Sequence, residues 1–564
     1  MALCVITIVQ YIKKLLSVFQ VKMNPNLIKS SREDRATASK PTTVLMFHDR
    51  YTAGETTGGL SVLFTVLCIV DLFGVFPIVA LPKTIISCGL YGIPLVVLVF
   101  ALQLYTAVLL GRSWLLAHEI SPDIRKKSRF PYAAVAELAF GTRMRRLVTF
   151  LIDATVFGAG VPNFIFASQS MQLFWWKITD GAVGVSYCIW MIVIGLLLCP
   201  IMWLGSPKDM KPVALFSVCV VTTVAVSTWS CIYLDDTSPP PSGDFLLYEP
   251  SPRDFLVAYG IIAFQFDIHP MLLTLQVDMK DSRKINSAVL GAFTITGLMF
   301  TVTSLLAANR YGNNVESNIL QGMPPSVTLY ILALLVTLQL CFSSAVSNSA
   351  LFLHVEDVLK IPREFCVQRC LLRSGIVALA VFLGESVPRF DLVMGLIGST
   401  LTGPLMFVFP PLFFLRLCYK RSLIKASAMA HNGKKKCVRF SDDSIDNGGK
   451  TIQNSGSALK NDTQNGNDQT PKVPLIVNRY QTKYRTFMNE YVDMKSDIDM
   501  NDYAIKWYDV LVAVAVMLLG IAATVVATYI SWSNAVSSSG FSAPCLLNST
   551  AAARSFIEIT NHVL

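Results

Sequence analysis

The stretch Gly260-Ile261-Ile262-Ala263-Phe264-Gln265-Phe266-Asp267-Ile268-His269-Pro270 decides the fold. It is as apolar as a membrane helix, yet it holds an acid, a histidine and a proline. A helix in hydrocarbon must satisfy its own backbone, and ionisable side chains there are costly, so an interruption of this kind marks a functional site. Five apolar stretches earlier, Gly74-Val75-Phe76-Pro77-Ile78-Val79-Ala80-Leu81-Pro82 carries a glycine and two prolines in the corresponding place. Because five is odd, the second set of stretches enters the membrane from the side opposite to the first. That is the geometry of an inverted repeat with one broken helix in each half.

Composition agrees. Of 564 residues 53% are apolar and 15% charged, against about 25% charged in soluble domains. A soluble globular protein, a secreted disulfide scaffold and a wholly disordered chain are excluded. A bilayer core of about 30 Å takes roughly 20 apolar helical residues. Eleven stretches qualify: 59–82, 89–111, 147–172, 186–205, 213–234, 254–276, 286–309, 325–353, 374–388, 391–417 and 508–533. The predicted fold is all-α and integral to a membrane, with eleven transmembrane helices: one repeat over 59–235, a second over 253–417, and an extra helix over 508–533. Residues 3–9 are apolar but too short to span, with Lys13 and Lys14 on the wrong side for a signal peptide.

Basic residues accumulate in cytosolic loops. With the N-terminus in the cytosol, inside segments hold 41 of the 47 Lys and Arg, and six outside segments hold one each. A missed or invented span would invert every later loop and destroy this alternation. The net charge of +10 is thereby a topology signal and not a nucleic-acid surface. Residues 1–58 are expected to be cytosolic and partly disordered, and 534–564 to form a luminal or extracellular tail. There Asn548, in Asn548-Ser549-Thr550, is a glycosylation acceptor. Cys88, Cys188, Cys231 and Cys545 lie near the outer face, where several pairings are open.

Residues 418–506 are polar and poor in large apolar side chains, and are expected to form a disordered cytosolic loop. Its basic cluster Lys434-Lys435-Lys436 suits anionic lipid. The following Val438 and Phe440 also resemble a docking peptide for type-1 protein phosphatases.

No P-loop, H-E-x-x-H or Gly-x-Ser-x-Gly occurs, so neither an enzyme nor direct ATP drive is expected. No metal site or cofactor is predicted either. Function must reside among the spans. Three acids lie in hydrocarbon: Asp71 before the first break, Asp153 in the third stretch and Asp267 inside the second break. Asp267 and His269 make a pair able to carry a coupling proton. Asp153 reads either as part of a proton path or as a structural ion pair with Arg145 or Arg146.

The run from Phe264 through His269-Pro270-Met271 to Lys280 resembles a signature of the amino acid/auxin permease family. So does Val387-Pro388-Arg389-Phe390-Asp391 through Gly395, Thr402-Gly403 and Pro410-Pro411. Gly74 to Gly92, Tyr105-Thr106 and Pro131-Tyr132 fit the same family over roughly residues 59–417, nearest its vesicular inhibitory amino acid transporter branch. The resemblance implies a LeuT-like 5+5 inverted repeat plus one helix, and proton-coupled movement of small neutral amino acids. It places the substrate against Gly74, Val75, Phe76 and Pro77 of the first break and Phe266, Asp267, His269 and Pro270 of the second. Sodium-using relatives imply a further ion site, here at Ser343, Ser344, Ser347 and Asn348. A sodium symporter, and a non-transporting sensor signalling through the cytosolic loop, are the alternatives. The membrane stays open among plasma, vesicular and lysosomal.

Overall fold

The computed structural model describes residues 59–127, 130–179, 184–204, 210–236, 251–362, 365–387, 389–424 and 507–537. The glycosylation acceptor Asn548, the docking pair Val438 and Phe440, and the segment 1–58 lie outside the described residues. Among those described the fold is helical, relieved only by an isolated bridge. Leu60 N donates to Asp278 O at 2.8 Å and Lys280 N to Leu60 O at 3.0 Å.

Nine described helical segments are long and apolar enough to cross a membrane. Two shorter apolar helices, Val62–Phe73 and Tyr187–Trp203, fall where the first and fourth stretches were read. The first stretch is broken into α1 (Val62–Phe73), α2 (Phe76–Val79) and α3 (Leu81–Ile86). Then come α4 (Gly92–Ile120), the short α5 (Pro131–Phe140), α6 (Thr142–Ile178), α7 (Tyr187–Leu204) and α8 (Met210–Tyr233). The second broken stretch gives α9 (Pro252–Gln265) and α10 (His269–Asp278), followed by α11 (Ile285–Tyr311), α12 (Val327–Val358) and α13 (Val367–Ser386). The last two are α14 (Phe390–Ile424) and α15 (Trp507–Ser537). Large apolar side chains such as Leu98, Leu196, Leu298 and Leu519 are exposed, as suits helices whose outer faces meet lipid.

Local chemistry sets the ends. Ser61, Ser251 and Ser326 cap α1, α9 and α12, each accepting a backbone N–H three residues on. Gly74 ends α1 at φ 62°, a backbone conformation open to glycine but strained for other residues. The helix after Phe390 contains two π turns, Gly398–Thr402 and Pro404–Val408. Carbonyls there are met from α15: Thr528 Oγ1 donates to Ser399 O at 3.1 Å and Ser531 Oγ to Gly395 O at 3.5 Å. The helix runs to Ile424, seven residues into the expected loop, held by Arg421 Nε on Glu119 Oε1 at 2.9 Å. Of the four outer-face cysteines, Cys88 and Cys231 are free thiols, Cys188 is disulfide-bonded, and Cys545 lies outside the described residues.

One buried ionic cluster joins the ends of α7, α12 and α13. Arg373 Nε donates to Glu356 Oε1 at 2.7 Å and Arg369 Nε to the same oxygen at 3.1 Å, while Arg373 Nη1 reaches Met202 O. Arg373 is 1% exposed and Glu356 2%. Removing one partner of such a group leaves a buried charge uncompensated, so Glu356→Leu is expected to destabilise by about 3 kcal/mol. The check is the detergent melting temperature against wild type.

Candidate functional site

The two breaks face each other. After α1 the chain turns at Gly74, and between α9 and α10 residues Phe266 to Ile268 leave the helix. Asp267 N still reaches Phe264 O at 3.3 Å, and His269 N is caught by Asp267 Oδ1 at 3.1 Å. Between them, closed by α6 and α12, lies a cavity of about 100 Å³. From α6 its wall takes Thr155, Val156, Ala159 and Asn163, and from α12 Gln339, Leu340, Ser343 and Ser347. These positions recur at three and four residues, one face of each helix.

The polar inventory of the wall is specific. Among the described residues its one charged side chain is Asp267, whose Oδ1 takes the His269 N–H and whose Oδ2 has no partner. Gln265 Nε2 donates to Phe73 O at 2.8 Å, leaving Oε1 without a partner. Gln339 is fully buried and neither its Nε2 nor its Oε1 is hydrogen-bonded. Buried polar groups are nearly always paired, so unmet ones on a cavity wall point to a polar occupant. Together they offer two N–H donors and several acceptors with one negative charge. That set matches a molecule bearing a carboxylate and an ammonium group.

Of the residues expected to contact a substrate, Gly74, Phe76, Asp267 and Pro270 line this cavity. Val75 and Pro77 are buried outside its wall. Phe266 turns away into an aromatic cluster, edge-on to Phe73 at 5.4 Å and Phe100 at 5.2 Å. His269 sits behind Asp267 with zero exposure, Nδ1 3.5 Å from Oδ1 and Nε2 3.1 Å from Thr106 Oγ1.

The acids separate. Asp71 is buried against Ser217 of α8, away from the cavity wall. Asp153 pairs with His354 of α12 and not with Arg145 or Arg146. Two turns of helix, about 11 Å of rise, separate it from those arginines, and Arg145 is drawn to Glu137 at 3.4 Å. The four expected sodium ligands also divide. Ser343 and Ser347 line the cavity, whereas Ser344 accepts from Asn163 Nδ2 at 3.1 Å and Asn348 Nδ2 donates to Ser344 O at 2.9 Å. Successive helical residues point about 100° apart, which puts 344 and 348 on the face towards α6.

Gln265, Gln339, Asn163 and Thr106 were missed. Gln339 had a signal: it precedes Ser343 and Ser347 at steps of four, a lone amide in an apolar run.

The family model described as transmembrane amino acid transporter protein matches residues 59–440. The chain belongs to the transmembrane amino acid transporter family. Among relatives, amino acid transporter AVT1B of Arabidopsis thaliana is 23% identical over 393 residues, covering 68% of this chain and 69% of its own. Amino acid transporter AVT1D of the same plant is 23% identical, covering 60% of each. Vacuolar amino acid transporter 3 of Schizosaccharomyces pombe is 24% identical over 181 residues, 30% of this chain and 27% of its own. The chain thus spans about three fifths to two thirds of the two plant relatives' length. Family membership makes it a multi-pass membrane transport protein and not an enzyme. Both broken helices, the cavity between them and α12 fall within the residues the family model covers.

Proposed function

We propose that this protein is a secondary active transporter of small neutral amino acids driven by a proton gradient. Its eleven spans would form a LeuT-like 5+5 inverted repeat plus one helix, with the N-terminus cytosolic and the C-terminus luminal or extracellular. One observation carries the reading. The cavity between the two breaks has Asp267 as its only charged wall residue, beside unpaired amide groups on Gln265 and Gln339. The substrate ammonium meets Asp267 Oδ2 and Gln265 Oε1, and its carboxylate meets Gln339 Nε2. With a single acid and no cation in the wall, acidic amino acids are disfavoured.

Alternating access follows as the bundle containing the broken helices rocks against the rest. The coupling ion is the proton, held by Asp267 and His269. Ser343 and Ser347 alone are too few oxygens to favour sodium. The vacuolar name of the fission-yeast relative supports an acidic organelle membrane, with the plasma membrane as the alternative.

The test is uptake by proteoliposomes of a panel of radiolabelled amino acids, with pH and sodium gradients imposed separately. Accumulation of neutral amino acids under the pH gradient alone is the expected result. Ligand-induced stabilisation without accumulation under any gradient would make the protein a sensor instead.

Gln339→Leu separates binding from stability. Hydrogen bonds to charged groups contribute about 1.5–3 kcal/mol, so apparent affinity should fall at least about tenfold. Melting temperature should hold or rise, because an unpaired buried amide is replaced by an apolar group. Concentration series of uptake and a melting curve read the two effects.

A further inference from the structure

We propose that Thr106 of α4 is the third member of a proton-holding relay with Asp267 and His269, its hydroxyl changing from donor to acceptor when the relay is loaded. This rests on the proton-coupled reading above and deepens it. Thr106 Oγ1 lies 3.1 Å from His269 Nε2, and also 3.0 Å from Leu102 O and 3.1 Å from Gln103 O. A hydroxyl has one proton, so it donates either to a carbonyl of its own helix or to the imidazole. On the far side of the ring, Nδ1 is 3.5 Å from Asp267 Oδ1.

Two proton counts leave Nε2 paired, while Nδ1 faces the Asp267 carboxylate without a hydrogen bond. Unloaded, Asp267 is a carboxylate and His269 is neutral with its proton on Nδ1, facing that carboxylate. Nε2 then accepts from Thr106. Loaded, the ring has gained one proton, given up by hydronium on the open side that is left as water, and carries N–H at both nitrogens. Nε2–H now donates to Thr106 Oγ1, and the hydroxyl proton turns to the Leu102 or Gln103 carbonyl. No heavy atom need move. The loaded state keeps Asp267 charged with Oδ2 unpaired, so the site holds a proton and a substrate ammonium together, which is the requirement for symport.

Among the described residues few other titratable groups bear on this relay. From α5, Tyr132 is within Coulomb range of Asp267, its hydroxyl donating to Leu405 O at 2.6 Å. The cavity faces of α6 and α12 present Thr155, Asn163, Gln339, Ser343 and Ser347, none of them charged. Thr106 is thus a positioning residue that keeps Nε2 paired in both proton counts.

The experiment is ¹⁵N-histidine spectroscopy of the whole protein in nanodiscs. There are six histidines, and the His269 signal is identified by its loss in His269→Gln. Thr106→Ser should reproduce the wild-type pH profile. Thr106→Val and Thr106→Ala should need several-fold more protons to reach the doubly protonated ring, because both forms of the ring lose the Thr106 bond and the one to the charged ring is the stronger by about 1 kcal/mol. An unchanged profile in the valine and alanine variants would overturn the relay. So would a His269 that keeps one protonation state between about pH 5 and 8. If the profiles shift as expected but uptake ignores an imposed pH gradient, the relay stands and the coupling reading falls.

Discussion

Asp267→Asn should lower amino acid uptake by about a hundredfold while the protein remains folded. The amide is isosteric and its oxygen can still accept the His269 N–H that holds the break together. What disappears is the only charge in the cavity wall. A charge-assisted bond to a substrate ammonium contributes up to about 3 kcal/mol, roughly a hundredfold in binding. Loss of the carboxylate also removes the partner of the His269 ring, so residual uptake should lose its dependence on the pH gradient. Radiolabelled uptake at several external pH values reads both effects, and a melting curve guards against unfolding. Wild-type uptake with an unaltered pH profile would remove Asp267 from binding and coupling alike.

The second large effect concerns packing. A methyl group on Gly398 would lie 2.8 Å from Phe264 Cβ and closer still to the Gly260 carbonyl oxygen. Gly260 in turn rests against the Gly395 carbonyl, where a Cβ would come within 2.7 Å. Here α9 and α14 touch backbone to backbone, the close approach that small residues permit between membrane helices. Backbone cannot rotate aside as a side chain can, so Gly398→Ala should destabilise by about 3 kcal/mol or prevent assembly, as overpacking does. Gly375→Ala is the control. It lies within α13 with nothing near its would-be Cβ, and alanine should gain up to about 1 kcal/mol of helix propensity there. Melting temperatures and monodispersity of the two variants in detergent should differ accordingly. Equal behaviour would show that the contact between α9 and α14 yields freely.

The sequence made the breaks visible because glycine, proline and charge are conspicuous in an apolar run. Gly74, Phe76, Asp267 and Pro270 could be marked as cavity residues from their positions alone. The same reading put Phe266 in the pocket, since nothing in a linear pattern tells which way an unwound residue turns. The aromatic rings of Phe73, Phe100 and Phe293 decide that, and they come from three separate helices. Asp153 illustrates the same limit: nearby arginines in sequence suggested its partner, whereas His354 arrives from two hundred residues further on.

Apolar length and charge alternation, which follow from transfer free energies and act residue by residue, determined from sequence that this is a helical membrane protein broken at two places. Which polar atoms remain unpaired depends on neighbours brought from distant segments. Only the tertiary structure therefore decided that Gln265 and Gln339 keep hydrogen-bonding capacity for an occupant. Thr106 backs the His269 ring for the same reason. So does the division of the four serine and asparagine positions of α12 between cavity and helix contact, since a helical face acquires a role only when something is packed against it.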